Sequence, residues 1–194
     1  MRRSGLNQMR NLIFAINVTL DGCCDHTKMT GDEQIYEHFT HLMRDVDLIL
    51  YGRKTYQLMV PFWPDVAKNR SGQTTAMNEF AQAFDSKEII VFSQSLDSSA
   101  VGKRTRIART KLQDEVLKLK QEQGRNILAG GVSIPSQLIE LGLIDEYYLI
   151  IHPIVAGEGR RLSEGIRLPE RSPIKLVESK IFKSGIVALH YLKP

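Results

Sequence analysis

The chain is 194 residues long, 42% hydrophobic and 25% charged, enough for one domain with a substantial core and the balance of a soluble globular protein. No apolar run approaches the roughly 20 residues that cross a bilayer, and no apolar stretch of signal-peptide length follows the basic N-terminus. A membrane partner and export are therefore not expected, and the cytoplasm is the expected location. The net charge of +4 and pI of about 9.1 fit a solvated surface with a small surplus of cations, or a local basic site for an anion such as a phosphate.

Residues 1–8 read as a flexible tail and 9–194 as a single domain, with no internal repeat, low-complexity segment or linker. Leu12–Ile16 is a short continuous apolar run, the pattern of a strand buried on both faces. It gives way to Thr19, Leu20, Asp21 and Gly22. Cys23 and Cys24 are adjacent, a strained geometry for a disulfide, and no Cys/His cluster has zinc spacing, so a reducing compartment and no metal are expected. Thr30 to Glu33 matches a capping box with Thr30 as N-cap, and the helix after it places Ile35, Phe39, Leu42, Met43 and Val46 on one face. Val46–Tyr51 is a second buried strand. A helix is expected from Gly52–Thr55 until Pro61, Phe62, Trp63 and Pro64 stop it. Trp63 reads as packing, or as part of an aromatic rim around a planar substrate. Met77, Phe80, Ala81 and Phe84 mark another amphipathic helix.

Glu88–Ser93 is a third strand. Lys103, Arg104, Arg106 and Arg109 come nearest to a basic stripe, but they include no aromatic residue, and a nucleic-acid partner is not expected. Thr110 to Gln113 is a second capping box. Its helix carries Leu112, Val116 and Leu119 and is expected to stop at Gly124. Asn126–Ala129 is a fourth strand, broken by Gly130 and Gly131. Ser133 is placed to cap the following helix, which turns Ile134, Leu138 and Leu141 inward and ends at Gly142. Tyr147–Val155 is a fifth strand interrupted by Pro153, which implies an edge or a bulge. Ile174–Phe182 and Ile186–Leu192 form a hairpin through Lys183, Ser184 and Gly185. The order gives an α/β domain: a mostly parallel mixed sheet, helices on both faces, and an antiparallel hairpin at the C-terminus. His26, His38, His41, His152 and His190 are scattered and read as surface residues.

In open α/β sheets, ligands bind beyond the carboxyl ends of the strands. The segments there are Thr19–Gly22, Gly52–Thr55, Ser93–Gln94 and Gly130–Ser133. Gly130 and Gly131, between a strand and a helix, suit either a tight turn or the close approach of a diphosphate to a helix N-terminus. Arg53 and Lys54 at a helix start oppose the helix dipole, an unfavourable choice unless an anion sits there, and a ribose 2′-phosphate suits them.

Leu50 to Tyr56 resembles the cofactor motif of the dihydrofolate reductases, Ile127 to Gly131 their second glycine motif, and Ile90 to Ser93 the strand between. The chain is more similar still to the C-terminal reductase domain of the riboflavin-pathway deaminase/reductase enzymes, through Thr19–Gly22, Leu143–Glu146 and His152–Gly159. The resemblance implies a three-layer dihydrofolate-reductase-like fold, NADPH as hydride donor, a small-molecule substrate and a homodimer. The activity it implies is that of a 5-amino-6-(5-phosphoribosylamino)uracil reductase. Gly52, Arg53, Lys54 and Thr55 are then expected on the adenosine phosphate, Ser93 near the adenine ribose, and Gly130, Gly131, Val132 and Ser133 around the diphosphate.

The family's substrate carboxylate falls near Tyr36, which is no acid, so dihydrofolate is not the expected substrate. Asp21 and Asp32 are the candidate catalytic acids, each with a structural role as its alternative: a turn before Gly22, and a helix cap. The chain also lacks the deaminase zinc signature. An NADP-binding regulatory module without turnover is the alternative function, and a flavin-dependent reductase a third.

Overall fold

Alternation within the apolar runs sets the architecture. In β1 (Leu12–Thr19), Leu12, Phe14 and Ile16 turn to one face of the sheet, and Ile13 and Ala15 to the other. β2 (Val46–Gly52) divides in the same way, with Leu48 and Leu50 opposite Ile49 and Tyr51. A strand buried on both faces needs a helix layer on each. On one side lie α1 (Glu33–Arg44), α2 (Arg53–Asn69) and α3 (Thr75–Asp85), which contribute Leu42, Met43, Tyr56, Phe80 and Phe84. On the other lie α4 (Leu112–Gln121) and α5 (Ser133–Glu140), with Val116, Leu119, Ile134 and Leu138. This computed structural model describes residues 9–194 apart from Ser163, Gly165 and Pro169, so the tail expected at residues 1–8 lies outside the described residues.

The remaining strands are β3 (Glu88–Phe92), β4 (Thr105–Ala108), β5 (Asn126–Ala129), β6 (Glu146–His152), β7 (Lys175–Ile181) and β8 (Val187–Leu192). They form one sheet in the order β4-β3-β2-β5-β1-β6-β8-β7. Strands β1 to β6 pair in parallel, and β8 joins β6 and β7 antiparallel. The hairpin turn is closed by Phe182 N–H on the Ile186 carbonyl (2.9 Å), with Gly185 at φ +82°.

Several local expectations are corrected. Thr30 does not cap α1; Asp32 does, accepting from Ile35 N–H at 2.9 Å. Pro61 and Pro64 do not stop α2, which continues to Asn69. Trp63 packs edge-on against Phe80 at 4.7 Å and against Tyr36 at 6.0 Å, and this packing holds the helix through the prolines. α4 stops at Gln121, before Gly124; its N-cap is Lys111, and Thr110 instead donates to Glu115 (2.8 Å). Val132, not Ser133, is the N-cap of α5, and Leu141 lies exposed beyond its end. β6 ends at His152 because Pro153 has no N–H to continue the ladder, and it is an inner strand, not an edge.

β4 was not expected. The cations in and beside it are spent within the molecule: Arg104 pairs with Asp85 (2.6 Å), Arg106 with Glu115 (2.5 Å), and Arg109 donates to the Gln94 and Leu96 carbonyls. Phe14 is fully buried in the central strand and meets Tyr147 edge-on at 6.4 Å. Phe14→Ala is expected to lower stability by about 3–5 kcal/mol, read as a lower urea midpoint with an unchanged denaturant slope.

Candidate functional site

Parallel pairing brings the carboxyl ends of β1, β2, β3 and β5 to one edge, and two helices begin there. α2 starts directly after β2, with Gly52 as an N-cap that has no side chain to bond the first-turn N–H groups. α5 starts after Gly130 and Gly131, and its N-cap Val132 makes no side-chain cap either. Asp32 caps α1 and Thr74 caps α3, while α4 also starts without a side-chain cap, at Lys111. The open N-termini of α2 and α5 adjoin: a Cβ on Gly52 would lie 3.1 Å from Ser133 Oγ and 3.3 Å from Ile134 Cγ1. Unbonded N–H groups and the positive ends of two helix dipoles therefore share one edge, an arrangement able to hold a polyanion.

Arg53 and Lys54 are exposed on the first turn of α2. Arg53 makes one long contact, to Gln57 Oε1 at 3.4 Å, and Lys54 has no ion pair among the described residues. Gly131 is tied more closely to the fold than the sequence implied. Its φ is +79°, and an added Cβ would run into the Thr55 hydroxyl. At Gly130 a Cβ would sit 2.5 Å from the Tyr51 ring. The glycine pair thus locks α5 against β2 and α2, whatever else it accommodates.

The Ser93 hydroxyl accepts from Ser95 N–H (3.2 Å) and Leu96 N–H (3.0 Å), closing the turn after β3. Beside it is a cavity of about 250 Å³ walled by Phe92, Ala108, Leu112 and Ile134, with Gln94 and Gln137 at its margin. It opens between the ends of β3 and β4 and the start of α5.

Asp21 follows the carboxyl end of β1 at the same edge. Its carboxylate accepts from Thr19 Oγ1 (2.5 Å), Ala156 N–H (3.1 Å) and Gly157 N–H (3.0 Å), and Arg161 bonds both its side chain and its backbone carbonyl. Bonds from Thr19 and Ala156 hold this carboxyl well below the usual carboxylate range. Asp21 is thereby a clasp that fixes the segment 154–161 over the end of β1. Asp32 is committed to its cap.

The sequence did not single out Asn17 and His152. His152 is buried, not at the surface, and its Nε2 meets Asn17 Oδ1 at 3.1 Å. Burial lowers its pKa, and the charge of Asp32 opposes that shift. Both residues lie near the end of β1 on the α1 side, with Tyr36 and Asp32 on the facing helix. The local signal was only that His152 ends a strand immediately before Pro153; its place opposite Thr19 is set by the sheet register. His190 is also partly buried, stacked on Tyr148 at 4.0 Å and paired with Glu146. His38 is half-buried between Phe39 and Phe182, while His26 and His41 are exposed. Cys23 is buried, and burial raises the Cys24 thiol to about 11, so neither is a ready nucleophile.

A six-stranded parallel core extended by an antiparallel hairpin, with ligand-competent loops at one edge, defines an α/β domain of the dihydrofolate-reductase-like type. The chain belongs to the RibD C-terminal domain family, whose model matches residues 10–188. It is 35% identical over 191 residues to the uncharacterized protein YyaP of Bacillus subtilis (strain 168), covering 95% of each chain. The crystal structure of a Shewanella sp. PV-4 protein named for riboflavin biosynthesis superposes with a TM-score of 0.72 at 19% identity, over 95% of this chain and 99% of that one. A pyrimidine reductase-like protein from Corynebacterium diphtheriae NCTC gives 0.66 at 15% identity, over 96% and 92%. The family supports a reductase-type function. Among the described residues, no helix is long and apolar enough to cross a membrane.

The clasp sets a pH dependence. Because the folded pKa of Asp21 lies below its ordinary value, the stability it adds is present above the ordinary carboxylate range, about pH 4, and declines as pH falls below it. Asp21→Asn is expected to speed amide exchange across 154–161 at neutral pH. Its deficit in thermal stability relative to wild type should shrink below about pH 4.

Proposed function

We propose that this protein is an NADPH-dependent reductase that transfers hydride to a small heterocyclic or carbonyl substrate. The observation that carries this reading is the meeting of two uncapped helix N-termini beside the exposed cations of Arg53 and Lys54. In this reading the N–H groups at the start of α5, with Ser133, receive the diphosphate, and those of α2, with Arg53, Lys54 and Thr55, receive the ribose phosphate. The cavity beside Ser93 fits a purine ring in its apolar walls. When bound, NADPH supplies the hydride; the protein's part is to hold donor and acceptor face to face and keep water out.

The substrate side falls on the α1 face. There Asn17 and His152 offer paired polar atoms, with Tyr36 and Trp63 as an apolar wall. Asp21 acts here by fixing the covering segment, and Asp32 by holding the start of α1. Neither acid is free to form the bidentate pair that a pteridine requires, so dihydrofolate remains an unsuitable substrate. The same commitment of both acids favours, as a second reading, a module that binds NADP without turnover.

One experiment addresses both. NADPH and NADH are titrated by fluorescence into wild type and Arg53→Ala, and NADPH oxidation is followed with pterins, quinones and pyrimidinones. NADPH should bind more tightly than NADH, and Arg53→Ala should cost about 1.5–3 kcal/mol on NADPH alone. Equal affinities unchanged by the variant would remove the phosphate assignment, and selective binding with no turnover of any acceptor would support the second reading.

We also propose a homodimer through the hairpin edge. Every residue of β7 is exposed, including Leu176, Val177 and Ile181, the last at 78%. An exposed edge strand with unpaired backbone groups and three apolar side chains among its seven residues invites pairing, and a twofold copy is the usual partner. Light scattering should give about twice the chain mass of 22.0 kDa. A monomer at micromolar concentration would contradict the assignment.

A further inference from the structure

The opposite edge of the sheet holds a second cavity, of about 340 Å³, within the range of small-molecule sites. It lies between the C-terminal half of α2 and the amino ends of β3 and β4. Val60, Phe84 and Ile89 wall one part of it, and Lys87, Lys103 and Arg104 another. Along β3 it is separated from the carboxyl-end crevice by four residue steps, about 13 Å.

Lys87 is the unusual member. It follows the turn that ends α3, with its N–H on the Phe84 carbonyl at 3.0 Å, and is 93% buried by relative exposure, 7% remaining accessible. Among the described residues its ammonium has neither a hydrogen bond nor an ion pair. Its stem is covered while the ammonium reaches the open space of the cavity, the arrangement of a long cationic side chain that buries its methylenes and keeps its head accessible. No carboxylate pairs with it here: Asp85, which lines the same cavity, is taken by Arg104 at 2.6 Å. Burial, with Arg125 nearby, lowers the Lys87 pKa, as expected of a cation short of a counter-charge. The cavity therefore combines an apolar wall with a positive balance that the chain itself does not neutralise.

We propose that this cavity is a ligand site, distinct from the crevice at the carboxyl edge, for a small organic anion: an apolar ring or short chain bearing a phosphate or carboxylate. The anionic group pairs with the Lys87 ammonium and is supported by Lys103, while the apolar body lies against Val60, Phe84 and Ile89. A bare anion would leave that wall wet, and a neutral ligand would leave Lys87 unpaired. The site does not depend on the cofactor assignment.

The test is a nitrogen-15 amide titration of the whole protein with phenyl phosphate, benzoate and inorganic phosphate, in wild type, Lys87→Met and Lys103→Gln. Lys87→Met conserves length and apolar volume, so the fold should survive, and matching melting curves check that it does. Phenyl phosphate or benzoate should give saturable shifts confined to Ile89 and the segment 102–105. Affinity should fall on the order of tenfold or more in Lys87→Met and less in Lys103→Gln. The proposal is overturned by non-saturable or scattered shifts in wild type, by unchanged affinity in Lys87→Met, or by inorganic phosphate binding as tightly as phenyl phosphate. The wild-type shift map stands as a separate test should Lys87→Met misfold.

Discussion

A parallel strand covered on both faces cannot reverse into its neighbour by a short turn. The crossovers climb over the sheet as helices, except from β3 to β4, where a loop with one 3-10 turn at Ser98–Ala100 suffices, and the parallel strands then end at the same edge. β1, β2 and β5 impose this constraint, since Leu12, Phe14, Ile49, Leu50 and Ile127 leave no face for water. The helix starts, the glycine pair and the clasp at Asp21 follow from it: each is what the chain does on leaving a buried strand. Where β6 meets β8 the rule lapses, the pairing turns antiparallel, and the hairpin is left with an uncovered edge.

At the carboxyl edge, stability and binding capacity draw on the same atoms. Gly131 is required by a positive φ and by the Thr55 side chain, and Thr55 sits on the first turn of α2, among the groups facing the crevice. The open caps of α2 and α5 cost the fold two stabilising side-chain bonds of the kind that Asp32 and Thr74 provide elsewhere. Sites that give up local stability in this way are characteristic of functional regions. The acids show the converse: Asp21 and Asp32 spend their charge on the fold, and the buried Asn17–His152 pair is what remains polar beneath them.

The amino edge is managed differently. Arg10 is bound to Asp47 and donates to the Arg125 carbonyl at 2.5 Å, while Lys120 pairs with Asp145 at 2.5 Å. Buried cations at this edge are thus matched to carboxylates or carbonyls wherever packing is closed. Where α2 and the β3–β4 pair leave space, Lys87 has a covered stem and an ammonium that opens into the cavity instead.

The sequence by itself determined the fold class, the two helix layers, the hairpin and the carboxyl-edge motifs, because binary patterning and glycine placement act over a few residues and are written in order along the chain. It did not reveal β4, which is only four residues long, carries Arg106 among them and is buried only at Ala108. It misjudged α2, because the proline rule describes an isolated helix and cannot weigh the packing of Trp63 on Phe80. The double role of Gly131, the engagement of Asp21 by a segment some 135 residues away, and the pairing of Asn17 with His152 were decided only by tertiary structure. Hydrogen bonds and burial across such separations depend on where the sheet register sets two strand ends, and no local pattern encodes that.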